Sequence, residues 1–225
     1  FHPHENSCMK PTLYAHPFSS YSQKVLIALY ENATPFEFRT LEDPSANAEL
    51  AALWPMKKFP LLVDSGRTII EATTVIEYLH VRYPGEIALI PADAHAALDT
   101  RIMDRFFDNY ISTPMQTIVL DRRRPEEHRD ACGVAAAHAM LDSAYAWLDQ
   151  NIAGRDWASG AGFTMADCSA APALFYADWA HPIDWSFANV RAYRDRLLAR
   201  PSFARAVDEA RPYRSYFPLG APDRD

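Results

Sequence analysis

Every stretch of this chain that reads as a β-strand lies in its first seventy residues, and strand signals vanish from Pro91 onward. A sheet confined to one end calls for two units, a small sheet-bearing one followed by a helical one. Residues 12–16 are short, apolar and β-prone, and Tyr21, Val25, Ala28 and Leu29 then recur at helical spacing. Residues 32–35 form a turn signal, residues 36–39 alternate like a strand, and residues 45–54 are a weaker helical stretch ended by Pro55. Residues 59–64 and 68–70 flank Ser65-Gly66-Arg67, a hairpin signal. Residues 72–83 carry Val75, Ile76, Tyr78 and Leu79 on one side and stop at Pro84-Gly85. The order βαβ, helix, ββα predicts an α/β domain with a mixed sheet over residues 10–84.

The remainder is all-helical. A linker is expected at 85–92 and an all-α domain over 93–225, beginning with one long helical stretch at 94–120. An alanine-rich helix at 133–152 and three more at 166–179, 189–199 and 203–211 follow. Thr164-Met165-Ala166-Asp167 has the form of a capping box with Asp in place of the usual Glu, a folding signal.

With 49% hydrophobic and 23% charged residues in 225, the chain can bury one large core or two smaller ones. No apolar run approaches the roughly 20 residues of a membrane span, and no stretch reads as a signal peptide. A net charge of −7 argues against general nucleic-acid binding. The single basic run, Arg122-Arg123-Arg124 before Pro125, reads as a solvated helix end. Three cysteines without CxxC spacing make no disulfide framework and point to a reducing, cytoplasmic setting, with Cys168 in the core. Residues 1–9 lack periodicity and are expected to be a disordered tail. Met9 is a candidate natural start, and His2 and His4 are tail residues rather than metal ligands. No metal is expected.

The stretch with chemical content is Ser19-Ser20-Tyr21-Ser22, at the junction of the first strand and first helix. Serine is a preferred N-cap. A hydroxyl beside unpaired backbone N–H groups at a helix start also suits an anion or a thiolate. His16, just before it, fits a structural histidine at a strand end, with a general acid or base as the alternative.

Four pieces, in order and at family spacing, make the chain resemble a cytosolic glutathione S-transferase of the serine type. Lys10-Pro11-Thr12-Leu13-Tyr14 followed by Ser19-Ser20-Tyr21-Ser22 resembles the start of the zeta class, where the run is Ser-Ser-Cys-Ser. Lys58-Phe59-Pro60 resembles the family's loop before a cis-proline, and Glu71-Ala72-Thr73-Thr74-Val75-Ile76-Glu77-Tyr78-Leu79 its Glu/Gln-Ser-x-x-Ile-x-x-Tyr-Leu helix start. Thr164 to Asp167 matches the family's capping box, and Leu198-Ala199-Arg200-Pro201-Ser202-Phe203 its last-helix motif.

The resemblance implies a thioredoxin-like, glutathione-binding N-terminal domain. It also implies a helical domain supplying most of the second-substrate pocket, and a cytosolic homodimer. Glutathione would be the co-substrate, added to small hydrophobic electrophiles. The alternatives are a cis–trans isomerase, because Ser-Ser-x-Ser resembles maleylacetoacetate isomerase, and a non-catalytic binding protein of the same fold. Ungapped alignment places Ser19 on the family's active serine, leaving Ser20 and Ser22 as caps or glutathione contacts. Ser20, Tyr21, Ser22 and a backbone-only site remain alternatives for the thiol. A tyrosine enzyme is rejected because Ala15 stands late in the first strand, and a cysteine enzyme because position 19 is serine.

The same resemblance assigns the remaining contacts. The Phe59 backbone, before Pro60, would pair with the cysteinyl backbone, and Lys58 or Lys57 with the glycyl carboxylate. Glu71 would take the γ-glutamyl ammonium. The next position normally carries Ser or Thr, which caps the helix and binds the γ-glutamyl carboxylate; here it is Ala72. Thr73 is the expected compensation, through its N–H and hydroxyl. Phe106, Phe107 and Tyr110 on the long helix, with Tyr176 and Trp179 later, are the aromatic candidates for the electrophile pocket, with a place in the core as the alternative. Arg105 and Asp104 face the cleft, the dimer partner or solvent.

Overall fold

The computed structural model describes residues 10–225; the expected tail at 1–9, with His2, His4 and Cys8, lies outside them. Four short strands form one sheet in the order β2-β1-β3-β4. These are β1 (Thr12–Ala15), β2 (Glu37–Thr40), β3 (Leu61–Asp64) and β4 (Arg67–Ile69). β1 pairs in parallel with β2, Leu13 opposite Phe38, and antiparallel with β3, Leu13 opposite Leu62. As the second strand in, β1 needs apolar residues on both faces, and Leu13, Tyr14 and Ala15 are all buried. The β3–β4 hairpin turns on Ser65 and Gly66, at φ 50° and 80°. Two consecutive positive φ angles suit a two-residue loop between twisted strands.

Around the sheet lie α1 (Ser20–Glu31), α2 (Pro44–Leu53) and α3 (Ala72–Arg82). The helical half comprises α4 (Ala94–Phe106), α5 (Thr113–Arg122), α6 (Ala131–Asn151), α7 (Met165–Ala180), α8 (Ala188–Ala199) and α9 (Pro201–Ala210). Asp43, Asp93 and Asp130 cap α2, α4 and α6 by accepting N–H bonds from Ser45, Ala96 and Gly133. The predicted capping box is present at α7: the Thr164 hydroxyl accepts from Ala166 N–H, and Asp167 accepts from Thr164 N–H at 2.8 Å. Asp167 also takes the Tyr193 hydroxyl at 2.6 Å and the Ala158 N–H at 2.9 Å. From Met165 to Trp179 every residue of α7 is buried, which makes it the axis of the molecule, and α1 packs against it.

The long helical stretch predicted from 94 to 120 is continuous but not uniform. Between α4 and α5, residues Phe107–Ser112 widen into π-helical turns, just ahead of Pro114. Proline has no N–H to continue an α-helical ladder, and the wider turn re-registers the helix. Its effect is local: Asp108 and Asn109 arrive at the wall of the cleft between the two halves.

Candidate active site

Between β1 and α1 the chain turns through four residues, closed by a Ser19 N–H bond to the His16 carbonyl at 3.0 Å. Ser19 is extended (φ −90°, ψ 126°) and N-caps α1, its Oγ accepting the Ser22 N–H at 3.2 Å. That bond uses an oxygen lone pair and leaves the hydroxyl proton without a partner among the described residues. The first N–H groups of a helix have no intrahelical acceptor, so Ser20 and Tyr21 add two donors beside that hydroxyl. Ser22 turns the opposite way: it is fully buried and its Oγ accepts the His16 N–H at 3.3 Å. Tyr21 is half-buried at the cleft. Burial and the nearby Asp108 carboxylate push its phenol up to about 12, so it stays protonated at neutral pH.

Both nitrogens of His16 are in use. Nδ1 accepts the Phe18 N–H at 3.0 Å, so Nε2 carries the proton and donates to Glu42 Oε1 at 2.7 Å. The imidazole therefore ties the turn before α1 to Glu42 while lining the smaller cavity.

Two cavities meet at Ser19. The larger, of about 920 Å³, runs past Trp54, Lys58, Phe59, Pro60, Glu71, Ala72 and Thr73 to Arg105, Asp108 and Asn109. The smaller, of about 410 Å³, is mostly apolar: Phe18, Phe59, Met115, Val119, Tyr176 and Phe217 line it, with Ser20 and His16 at the rim. Ser19, Phe59, Gln116, Leu120 and Arg123 belong to both. The Phe59–Pro60 peptide is cis. Glu71 sits just before α3 at φ 66°, ψ 123°, and its carboxylate makes no cap bond and has no partner among the described residues. A non-glycine residue there costs about 1–3 kcal/mol and persists where the surroundings impose it.

Behind the polar end of the larger cavity lies a buried ionic cluster. Lys24, 1% exposed, reaches from α1 to Asp104 Oδ1 at 2.7 Å, Asp108 Oδ2 at 2.9 Å and Thr73 Oγ1 at 2.9 Å. Arg105 bonds Asp104 from Nε (3.0 Å) and Nη2 (2.7 Å), and also meets Asp108 and Thr73. Burial works against charge on Asp104, but Lys24, Ser169 and Arg105 outweigh it and hold the carboxyl below the usual range. Three elements, α1, α3 and α4, are thereby fastened together directly under the site.

The architecture just described has relatives. The sequence model described as "Glutathione S-transferase, N-terminal domain" matches residues 13–86, and that for the "Glutathione S-transferase, C-terminal domain" matches residues 127–196. The chain belongs to the glutathione S-transferase family. It is 27% identical over 207 residues to glutathione S-transferase GstB of Escherichia coli K12, covering 87% of this chain and 97% of that one. A probable maleylacetoacetate isomerase of Caenorhabditis elegans is 26% identical over 211 residues, covering 92% and 97%. Among solved structures, a glutathione S-transferase from Methylobacterium radiotolerans in complex with glutathione sulfonate superposes with a TM-score of 0.77. It is 29% identical and covers 88% of this chain and 95% of its own.

Of the residues expected from the glutathione S-transferase resemblance, Ser19, Lys58, Phe59, Pro60, Glu71, Ala72 and Thr73 lie together on the larger cavity. Ser20 and Tyr176 reach the smaller one. Ser22 does not reach the cleft, because its position one turn into α1 points into the core. Phe106 and Tyr110, expected in the electrophile pocket, line neither cavity. They face outward with Leu98, Ile102, Met140 and Trp147, Phe106 packing on Trp147 at 4.5 Å between centroids. Met115 and Val119, beyond the π-helical turn, line the smaller cavity instead, while Asn109 borders both the outward groove and the larger cavity. Trp179 is buried behind Phe18, outside the pocket. Sequence reasoning missed Asp108, Asn109 and Gln116, which carry no motif, and the chain end at Tyr216 and Phe217. It also read Arg123 as solvent-facing, although that arginine borders both cavities. The described residues include no group of three or more His, Cys, Asp or Glu placed to hold a metal ion.

Proposed function

We propose that the protein holds glutathione in the larger cavity, stabilises its thiolate at Ser19, and adds it to small hydrophobic electrophiles in the smaller one. The observation that carries this is Ser19 itself, an N-cap whose hydroxyl proton is unspent where the two cavities meet. A cysteinyl thiol near pKa 8.5 is a few per cent ionised at neutral pH. Lowering that value by two units takes about 2.7 kcal/mol of preferential thiolate binding. A hydrogen bond to a charged acceptor contributes about 1.5–3 kcal/mol and a helix N-terminus about 0.3–1. The hydroxyl and the start of α1 together match the need.

In this reading Glu71 takes the γ-glutamyl ammonium, the Phe59 backbone the cysteinyl unit and Lys58 the glycyl carboxylate. Ser20 borders the sulfur, and Phe18, Met115 and Tyr176 form the electrophile's apolar wall. Two copies associate through the outward face that carries Tyr110 and Trp147, and the enzyme works in the cytoplasm on reactive small molecules. The relative named a probable maleylacetoacetate isomerase supports a second reading, thiolate addition to a cis double bond followed by rotation and elimination. Turnover with glutathione separates the two: a chloro-dinitroarene consumed faster than maleylacetone supports conjugation, and the reverse supports isomerisation. Absence of turnover with both, despite glutathione binding, overturns the enzymatic reading.

A further inference from the structure

The family's hydroxyl at the start of the third helix is missing here, and the residue expected to replace it is already committed. A threonine hydroxyl has one proton to donate and two lone pairs to accept with. Thr73 donates to Asp104 Oδ2 at 2.8 Å and accepts from Lys24 Nζ at 2.9 Å and from Arg105 Nη2. All three capacities face the protein. A carboxylate lying at Ala72 has the α3 backbone N–H groups but no threonine or serine oxygen from either residue.

Arg105 is built differently. It lines the same cavity as Glu71 and Ala72, and 49% of its side chain is exposed. Its Nε and Nη2 are anchored on Asp104, Asp108 and Thr73, while both N–H groups of Nη1 lack a partner among the described residues. The cluster holds two carboxylates and two cations. The cluster is therefore neutral as a whole, and what Arg105 turns to the cavity is the pair of Nη1 N–H donors that neither aspartate uses. A planar, always-charged fork clamped along one edge, with two donors left over, is a preorganised carboxylate receptor. With Glu71, whose carboxylate has no partner among the described residues, lining the same cavity, the pair matches a zwitterion: Glu71 for an ammonium, Arg105 for a carboxylate.

We propose that Arg105 binds the α-carboxylate of glutathione's γ-glutamyl residue and so supplies the donor that Ala72 lacks. The inference rests on the glutathione-binding reading above and adds a specificity residue to it. The test is calorimetric titration with glutathione and with 4-aminobutanoyl-cysteinylglycine, the same tripeptide without that carboxylate. The proteins are wild type, Arg105→Gln, Arg105→Lys, Thr74→Ala, and Arg105→Gln combined with Ala72→Ser. Wild type should prefer glutathione by about 10–100-fold, the size of a charged hydrogen-bond contribution. Arg105→Gln should bind the two ligands alike, Arg105→Lys should keep part of the preference, and Thr74→Ala all of it. Ala72→Ser should return several-fold of glutathione affinity to Arg105→Gln without improving the analogue. A purely structural role would weaken both ligands equally, so preservation of the preference in Arg105→Gln overturns the inference and leaves the function intact. Loss of the preference in Thr74→Ala overturns it too. If Arg105→Gln does not fold, Arg105→Lys carries the same comparison. Wild type binding neither ligand at millimolar concentration defeats both the inference and the reading beneath it.

Discussion

At the scale of single residues, the site depends on what each polar atom has left to give. Ser19 and Thr73 are both hydroxyls at helix starts in the same cavity. Ser19 spends one lone pair on Ser22 N–H and keeps its proton, whereas Thr73 spends everything on Asp104, Lys24 and Arg105. Ser19→Ala should therefore lower kcat/KM at pH 6.5 by about 10–100-fold. The deficit should shrink as pH approaches the free thiol's value near 8.5, where glutathione ionises unaided. Loss of the cap itself costs about 1 kcal/mol, a fall in Tm of about 2–4 °C, so the assay belongs well below the transition. Unchanged kcat/KM at pH 6.5 would count against Ser19. Position 19 and position 73 look equivalent in the sequence; which proton remains free is decided by neighbours 31 to 49 residues away.

At the scale of elements, the Lys24 cluster joins the α/β half to the helical half through α1, α3 and α4. Removing one partner of a buried ion pair strands a charge and costs about 3–5 kcal/mol. Lys24→Met should lose that much in chemical denaturation at pH 8. The pH dependence has a definite sign. In wild type Asp104 is held below its usual value, so its contribution is complete above about pH 4, where unfolded aspartates are ionised. That contribution disappears as pH falls through the lower folded value. Without Lys24, burial acts in the other direction and raises the carboxyl, so the variant's deficit should narrow between pH 8 and pH 5. A deficit constant over that range contradicts the pairing. Sequence periodicity located all three helices but could not register α1 against α4, because a lone lysine in an apolar helix has no partner until both helices have packed against α7.

For the whole molecule, the outward face of α4 and α6 is the surface proposed above for association of two copies. Leu98, Ile102, Tyr110, Met140 and Trp147 are each 43–55% exposed and line one groove of about 670 Å³. The proposed association of two copies rests on this exposed apolar patch. A C2 dimer presents one patch to itself. Light scattering should give a dimer for wild type, and Trp147→Glu should shift it to monomer with its helical circular dichroism intact. A monomeric wild type at micromolar concentration would rule this surface out as the interface. Because Arg105 borders both this groove and the larger cavity, the monomeric variant should also bind glutathione more weakly.

Local information in the chain was enough for element order, the hairpin at Ser65-Gly66, the capping box at Thr164 and the serine at the head of α1. Periodicity, turn residues and caps act over a few residues, and so does the physics that forms them. The family resemblance also pointed to the cavity residues from Ser19 to Thr73, which lie within one compact α/β unit, but not to Asp108, Asn109, Gln116, Leu120 and Arg123, which come from the π-helical turn and from α5 and its end. The tertiary structure alone decided which aromatics line the smaller cavity and which face outward. It alone placed Arg105 at the site and spent the Thr73 hydroxyl. Those outcomes depend on the widened turn at Phe107–Ser112 and on how α1 and α4 each pack against α7. Helix register and crossing follow from the packing of distant surfaces, and such packing leaves no local pattern to read.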